Sequence, residues 1–210
     1  MTDAPEVRRH IHLVIDRSGS MATKKTDTEG GLKTLLAEQA EINVPTTVTL
    51  VDFDTKTRTV YDAVDIHAVP EYQLPPHGTT ALLDAVGSSI RNLSSSIKAM
   101  PDDVRPTQVV FVIMTDGEEN ASREFTLEKV RKQIEKRTRK GWTFLFLGAD
   151  IDAFSAAGGM GIASGTTLSY ASATGTASAF AATSRVITVG TESGLYVYSD
   201  DDRTSAGGAS

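Results

Sequence analysis

The chain contains no cysteine, which excludes disulfides and thiolate metal sites and is compatible with a reducing compartment. It has no run approaching the roughly 18 uninterrupted apolar residues that a membrane helix needs. Its first residues, Met1-Thr2-Asp3-Ala4-Pro5-Glu6, carry acids where a secretory signal carries an apolar segment. A soluble, cytoplasmic protein without a membrane partner is expected. A basic excess is missing too: 27 acidic against 21 basic residues leave a net charge of −6, so nucleic acid is not an expected partner. An acidic surface attracts cations instead. With 40% hydrophobic and 23% charged residues the composition is that of an ordinary globular protein. No internal repeat divides the 210 residues, and the length suits one domain with extensions. The expected organisation is a lead-in over 1–9, a single domain over 10–198, clearest over 10–150, and a flexible acidic and Gly/Ser-rich tail over 199–210.

Strand and helix patterns alternate along the chain. Ile11–Ile15 is an apolar run long enough for a buried strand, and Leu32, Leu35, Leu36, Gln39 and Ile42 then recur at helical spacing until Asn43 and Pro45 end the pattern. Thr46–Phe53 and Thr57–Val64 flank the polar turn Asp54-Thr55-Lys56 and read as a hairpin, which places one antiparallel strand at a sheet edge. A loop ending in Pro75-Pro76-His77-Gly78 precedes a helix whose Leu83, Val86, Ile90, Leu93, Ile97 and Met100 form one apolar stripe. Val109–Met114 is the most continuous apolar stretch and predicts a central parallel strand. A helix carrying Leu127, Val130 and Ile134 and a strand at Trp142–Leu147 follow. Beyond Gly148 the pattern weakens to a short helix near Ala153–Ala157, a brief strand at Thr167–Tyr170 and a last helix near Thr176–Val186. Sustained alternation predicts an α/β fold: a doubly wound, mostly parallel sheet with helices on both faces and one antiparallel edge strand.

Three loops at predicted strand ends or helix starts carry oxygen donors. The first is Asp16-Arg17-Ser18-Gly19-Ser20, with one carboxylate and two hydroxyls in five residues. The second is Gly78-Thr79-Thr80, and the third is Thr115-Asp116-Gly117. Read alone, a D-x-S-x-S stretch is more often a turn or a helix cap. In a parallel sheet, however, all three loops share the carboxyl edge where such sheets bind ligands. An oxygen-only set suits a hard cation such as Mg²⁺. The three motifs in this order resemble the von Willebrand factor type A family and its metal-ion-dependent adhesion site, within which the chain is most similar to single-domain intracellular proteins of bacteria and phages.

That resemblance implies a metal set of Asp16, Ser18, Ser20, Thr80 and Asp116. Ser18 and Ser20 would be direct hydroxyl ligands, with Asp16, Thr80 and Asp116 bound directly or through water. Thr80 is chosen over Thr79 from the Asp84-Ala85-Val86 register of the following helix. The implied ion is Mg²⁺, with Mn²⁺ or Ca²⁺ as alternatives, and the implied function is binding rather than catalysis: a protein partner presents Glu or Asp to an open coordination position. Two other functions compete. A Mg²⁺-dependent phosphohydrolase or phosphotransferase also places an acid after a parallel strand, but Ser18 stands where that chemistry needs a second acid. A structural subunit with a merely stabilising metal loop is the other.

Several further residues are open to more than one reading. Asp84 is either an acceptor that orients a ligand water or a favourable charge in a first helical turn. Glu118 and Glu119 either tune the potential beside Asp116 or are acids of a first turn. His10 and His12 are expected to be ordinary satisfied histidines, and His77 a solvated loop residue or a rim of the site. The basic residues from Lys129 to Lys140 read as a solvated helix face. Gly159-Met160-Gly161 lacks the third glycine and the preceding strand of a dinucleotide loop.

Overall fold

A computed structural model describes residues 7–171 and 175–207. Six strands form one sheet in the order β3-β2-β1-β4-β5-β6. They are β1 Arg9–Asp16, β2 Thr46–Phe53, β3 Thr57–Asp65, β4 Gln108–Thr115, β5 Trp142–Ala149 and β6 Thr167–Tyr170. Neighbours run parallel except β2 and β3, an antiparallel hairpin at the edge. The observed architecture is therefore a doubly wound, mostly parallel sheet with one antiparallel edge strand.

Burial follows from the strand order. β1 and β4 are covered on both faces and buried almost throughout, which is why their sequences run apolar without a break. β3, at the edge, is exposed along most of its length. On one face, Leu13 and Ile15 pack with Leu32 and Leu35 of α1 (Lys25–Ala40) and with Phe180 of α5 (Thr176–Ser193). On the other, Val14 packs with Val86 and Ile90 of α2 (Leu82–Ala99) and Val130 of α3 (Leu127–Thr138). Leu127 departs from its expected place in the α3 stripe. It is 46% exposed, because it opens the helix and lies along Gly159 of α4 (Ala153–Gly159) instead of reaching the sheet.

The chain runs from β1 outward to β2 and β3, then returns to the opposite side of β1 at β4. A crevice opens outside the carboxyl ends of the strands where the order reverses in this way. Asp16 ends β1 and Thr115 ends β4 at that point. Among the described residues, no helix is long and apolar enough to cross a membrane.

Three expectations need correction. Residues 199–207 were expected to be a solvated tail; instead Asp200–Ser205 form α6. The acid run that suggests solvation is what starts the helix, since acids favour a helix N-terminus. Ser199 and Asp202 cap it reciprocally, Asp202 pairs with Arg185 of α5, and Arg203 donates to the Thr167 carbonyl at 2.7 Å. Residues 208–210 lie outside the described residues, as do 1–6 of the lead-in. Arg9, expected in the lead-in, is the first residue of β1 and is 1% exposed. Its guanidinium, pushed down to about 10 by burial, donates to Thr46 Oγ1, Thr191 Oγ1 and the Gln39 carbonyl, which ties β1 to α1 and α5. The last helix also runs on to Ser193, where Gly194 ends it at φ 77°.

The third correction concerns the histidines. His10 and His12 are buried under α2, but of their ring nitrogens only His10 Nδ1 has a partner among the described residues, Thr47 Oγ1 at 2.9 Å. His12 stacks on Phe111 with ring centroids 4.7 Å apart. Burial holds His10 down to about 4 against the pull of Asp62, and holds His12 well below its ordinary value with the help of His10. Both rings are thus neutral in the fold and must take up protons on unfolding in acid.

Two predictions follow from this packing. The folded-state values lie below the ordinary 6.5, so the contribution of these histidines is complete above that pH and is lost as pH falls toward 4, by about 3 kcal/mol for a shift of this size. His12→Phe, which preserves the stack, should flatten the decline of the urea midpoint between pH 7.5 and pH 5; an equally steep decline would clear His12 as its cause. In α1, Gly30 has nothing within 4 Å of an added Cβ, whereas a Cβ on Gly31 would lie 2.2 Å from the Phe180 ring. Gly30→Ala should therefore stabilise by roughly 0.5–1 kcal/mol through helix propensity, while Gly31→Ala should destabilise by roughly 1–3 kcal/mol through overpacking. Thermal melts of the pair decide.

Candidate metal centre

The parallel register that pairs Ile15 with Met114 sets the next residues, Asp16 and Thr115, side by side at the carboxyl edge. Thr115 Oγ1 donates to Asp16 Oδ2 at 2.6 Å, and the Ser18 amide donates to Asp16 Oδ1 at 2.7 Å. Beyond Ser18 the chain enters a 3-10 turn, Gly19–Lys24, that carries Ser20 across to the end of β4. Ser20 Oγ donates to Asp116 Oδ1 at 2.7 Å and lies 3.1 Å from Ser18 Oγ. Asp16, Ser18, Thr80 and Asp116 are buried, and Ser20 is exposed. The fold thus joins Asp16, Ser18, Ser20 and Asp116 by direct contacts.

Thr80 comes to the same place through Gly117. A Cβ on Gly117 would fall 2.8 Å from Thr80 Oγ1, so the bare backbone after Asp116 is what lets the threonine in. Thr79 is turned away, its hydroxyl 3.0 Å from Thr55 Oγ1. Asn120 holds Thr80 from both sides: its Oδ1 accepts from the Thr80 amide at 3.0 Å, and its own amide donates to the Thr80 carbonyl at 3.1 Å. Gly78, at φ 75°, gives its carbonyl to the Gly19 amide at 3.1 Å, and a Cβ there would come within 3.2 Å of Asp54. Only glycine satisfies both demands.

Asp84 and Glu119 do something other than expected. The Asp84 carboxylate accepts from the amides of Arg123, Glu124 and Phe125, so it anchors the loop after β4. It is also the acid of the first turn of α2. Glu119 lies in that loop, before any helix, and accepts from the amides of Leu83, Ala121 and Ser122. The two acids cross-link α2 to the segment that carries Asp116. His77 is solvated at the rim, 81% exposed with Nδ1 3.4 Å from Asp54 Oδ2.

Charge at the cluster is unbalanced in an informative way. Burial pushes the Asp16 carboxyl above its ordinary value; hydrogen bonds from Thr115 and Ser18 oppose this, and the nearby Asp116 charge adds to it. Tyr170, 1% exposed, has a hydroxyl with no partner among the described residues, and its own value is raised by burial and then by the charges of Asp116, Asp150 and Asp16. A cation would relieve both groups. The donors are carboxylates and hydroxyls only, with no cluster of three or more His, Asp or Glu among the described residues. Such a set suits a hard ion that keeps some of its water. The residues present therefore fit a divalent cation of the magnesium type.

Three residues that shape the cluster, Lys24, Asn120 and Arg17, carry no signal in the sequence, whereas Thr115 stands in the third motif. Lys24 places its ammonium 2.7 Å from Asp116 Oδ2. Thr115 and Asn120 supply the bonds given above. Arg17, the variable position of the first motif, pairs with Asp52 at 3.3 Å and Asp54 at 2.8 Å and fastens the loop to the β2–β3 turn. Motif spacing could not find those three, because each acts through a partner at least 35 residues away in the chain.

No family model and no curated protein matches the chain. Solved structures do match in shape. Proximal thread matrix protein 1 of the mussel byssus, in a form whose MIDAS motif holds zinc, superposes with a TM-score of 0.59 at 15% identity. That match covers 90% of this chain and 46% of the byssus protein, so the chain spans about half that protein's length. The vWF domain of the type V pilus tip protein Mfa5 from Porphyromonas gingivalis matches with a TM-score of 0.61 at 12% identity, covering 89% and 97% of the two chains. The VWA domain of SpRpn10 matches with a TM-score of 0.54 at 9% identity, covering 78% and 87%. With its strand order and its cluster at the reversal point, the chain has the von Willebrand factor type A fold.

Proposed function

We propose that this protein is a metal-dependent interaction module of the cytoplasm, in which Asp16, Ser18, Ser20, Thr80 and Asp116 hold one divalent cation that receives a Glu or Asp carboxylate from a protein partner. The observation that carries this reading is the meeting of two buried carboxylates and the Ser18 and Ser20 hydroxyls at the point where the strand order reverses. When bound, the ion would supply an electron-poor centre for an anionic oxygen, because two carboxylates balance its charge while the remaining donors are neutral hydroxyls. Compact hydroxyl donors favour Mg²⁺ or Mn²⁺ before Ca²⁺. The zinc-occupied MIDAS motif of the byssus protein supports a divalent ion in this fold.

A phosphotransferase reading is weaker. The residue two after Asp16 is Ser18, whose hydroxyl cannot act as general acid at neutral pH and which contacts Ser20. The protein's own groups instead orient and desolvate. Thr115 and the Ser18 amide fix the Asp16 carboxylate, Ser20 fixes Asp116, and Asn120 fixes the backbone of Thr80.

Calorimetric titration with Mg²⁺ or Mn²⁺ should reveal one site, and Asp16→Asn should abolish the heat while leaving the circular dichroism unchanged. Equal affinity in variant and wild type would sink the ligand assignment. A panel of phosphate esters with Mg²⁺ should show no turnover above background, and turnover lost in Asp16→Asn would promote the enzyme reading. For an isolated partner, changing its metal-contacting acid to Ala should cost at least about 2 kcal/mol, roughly thirtyfold in affinity. Chelator should have the same effect, and the two should not add. A complex that withstands chelator at full strength would make the metal structural.

A further inference from the structure

Lys24 is the feature of the centre that a simple metal cup does not explain. Its ammonium lies 2.7 Å from Asp116 Oδ2 and 3.8 Å from Asp150 Oδ2. The Lys24 side chain is 11% exposed, that of Asp116 is 0% exposed and that of Asp150 is 49% exposed. Both Asp116 oxygens are engaged in this arrangement, Oδ1 by the Ser20 hydroxyl and Oδ2 by the Lys24 ammonium. A divalent cation that takes Asp116 as a ligand would stand close to the ammonium 2.7 Å from Oδ2, and of the two contacts its charge opposes only that one.

The second acid gives that lysine somewhere to go. Asp150 follows β5 in the left-handed region at φ 55°, a conformation that costs a residue with a side chain about 1 kcal/mol or more. Its amide donates to the Tyr170 carbonyl at 3.2 Å, which holds the turn in place. The ammonium therefore stands between a buried carboxylate and a half-exposed one, with the nearer contact on the buried side. A flexible four-carbon stem lets it shift outward without backbone movement.

We propose that Lys24 competes with a divalent cation for Asp116, that cation binding drives the ammonium off that carboxylate, and that Asp150 receives it. This rests on the metal reading above and adds what regulates it. Lys24 lowers metal affinity and offsets the Asp116 charge, so that occupancy depends on cation concentration and on whatever partner carboxylate helps to hold the ion. A partner that pairs with Lys24 as well as with the metal would couple its own binding to loading, because coupling between two ligands is reciprocal.

Titration calorimetry with Mn²⁺ on the whole chain tests the idea. Lys24→Met keeps the apolar stem and should bind Mn²⁺ on the order of tenfold more tightly than wild type, while Lys24→Arg should stay near wild type. Asp150→Asn should weaken binding in the wild-type background and do less in the Lys24→Met background, since the coupling between two residues is what such a cycle isolates. Thermal unfolding without metal should show Lys24→Met less stable than wild type, with Mn²⁺ restoring it. Should that variant fail to fold, recovery of its circular dichroism on adding Mn²⁺ supports the proposal, and no recovery overturns it. Wild-type binding with equal or weaker binding by Lys24→Met would overturn the displacement and leave the metal site standing. Uptake of Mn²⁺ by neither folded protein would remove the metal site itself and make Lys24 the resident cation. Equal effects of Asp150→Asn in both backgrounds would strike out Asp150 as the receiving group.

Discussion

The buried carboxylate of Asp16 is the constraint from which the rest of the centre follows. A charge without water is tolerated only where it is paired or hydrogen-bonded. Here the Thr115 hydroxyl and the Ser18 amide provide the bonds, and both are in place because β1 and β4 are parallel neighbours whose ends coincide. Asp116 raises the demand by setting a second carboxylate beside the first. Ser20 and Lys24 answer it, one through a hydroxyl and the other through a positive charge. Nothing in the cluster is arranged for its own loop alone.

The loops around these carboxylates are held by one another. Arg17 ties the first loop to Asp52 and Asp54, and Asp52 in turn receives Arg58 and the Tyr72 hydroxyl. Glu119 and Asp84 perform the same service on the other side, binding α2 to the segment after β4 through the four backbone amides of Leu83, Arg123, Glu124 and Phe125. Single surface ion pairs contribute little, but the Asp52 carboxylate at the centre of these contacts is 0% exposed. Removing one member there would strand a buried charge. Loops that would otherwise be mobile are thereby made into a rigid cup.

Fold likeness leaves the function to the centre itself. The byssus protein, the pilus tip domain and the SpRpn10 domain share the architecture at 15% identity or less, and one fold supports many roles. Its local features are a lysine on the Asp116 carboxylate, a Tyr170 hydroxyl near the acids with no partner among the described residues, and an aspartate held in a left-handed turn. Two buried histidines in the first half of β1 tie fold stability to pH chiefly through their burial.

Local pattern was enough for the strands and helices. The apolar runs of β1 and β4, the alternation of β2 and the stripe of α2 are short-range consequences of which face each residue must bury, and so they can be read in order along the chain. The motif residues were legible for a related reason, since a turn at a strand end must be polar and small wherever the fold places it. Lys24, Asn120, Arg17 and the roles of Asp84 and Glu119 were not, nor was α6, whose acid run looks solvated until Arg185 and the β6 edge stand beside it. The sequence by itself determined that oxygen donors would gather at one edge of a parallel sheet. Only the tertiary structure decided which cation already neutralises them, because an ion pair depends on distance in space and a lysine carries no mark of the carboxylate it will meet.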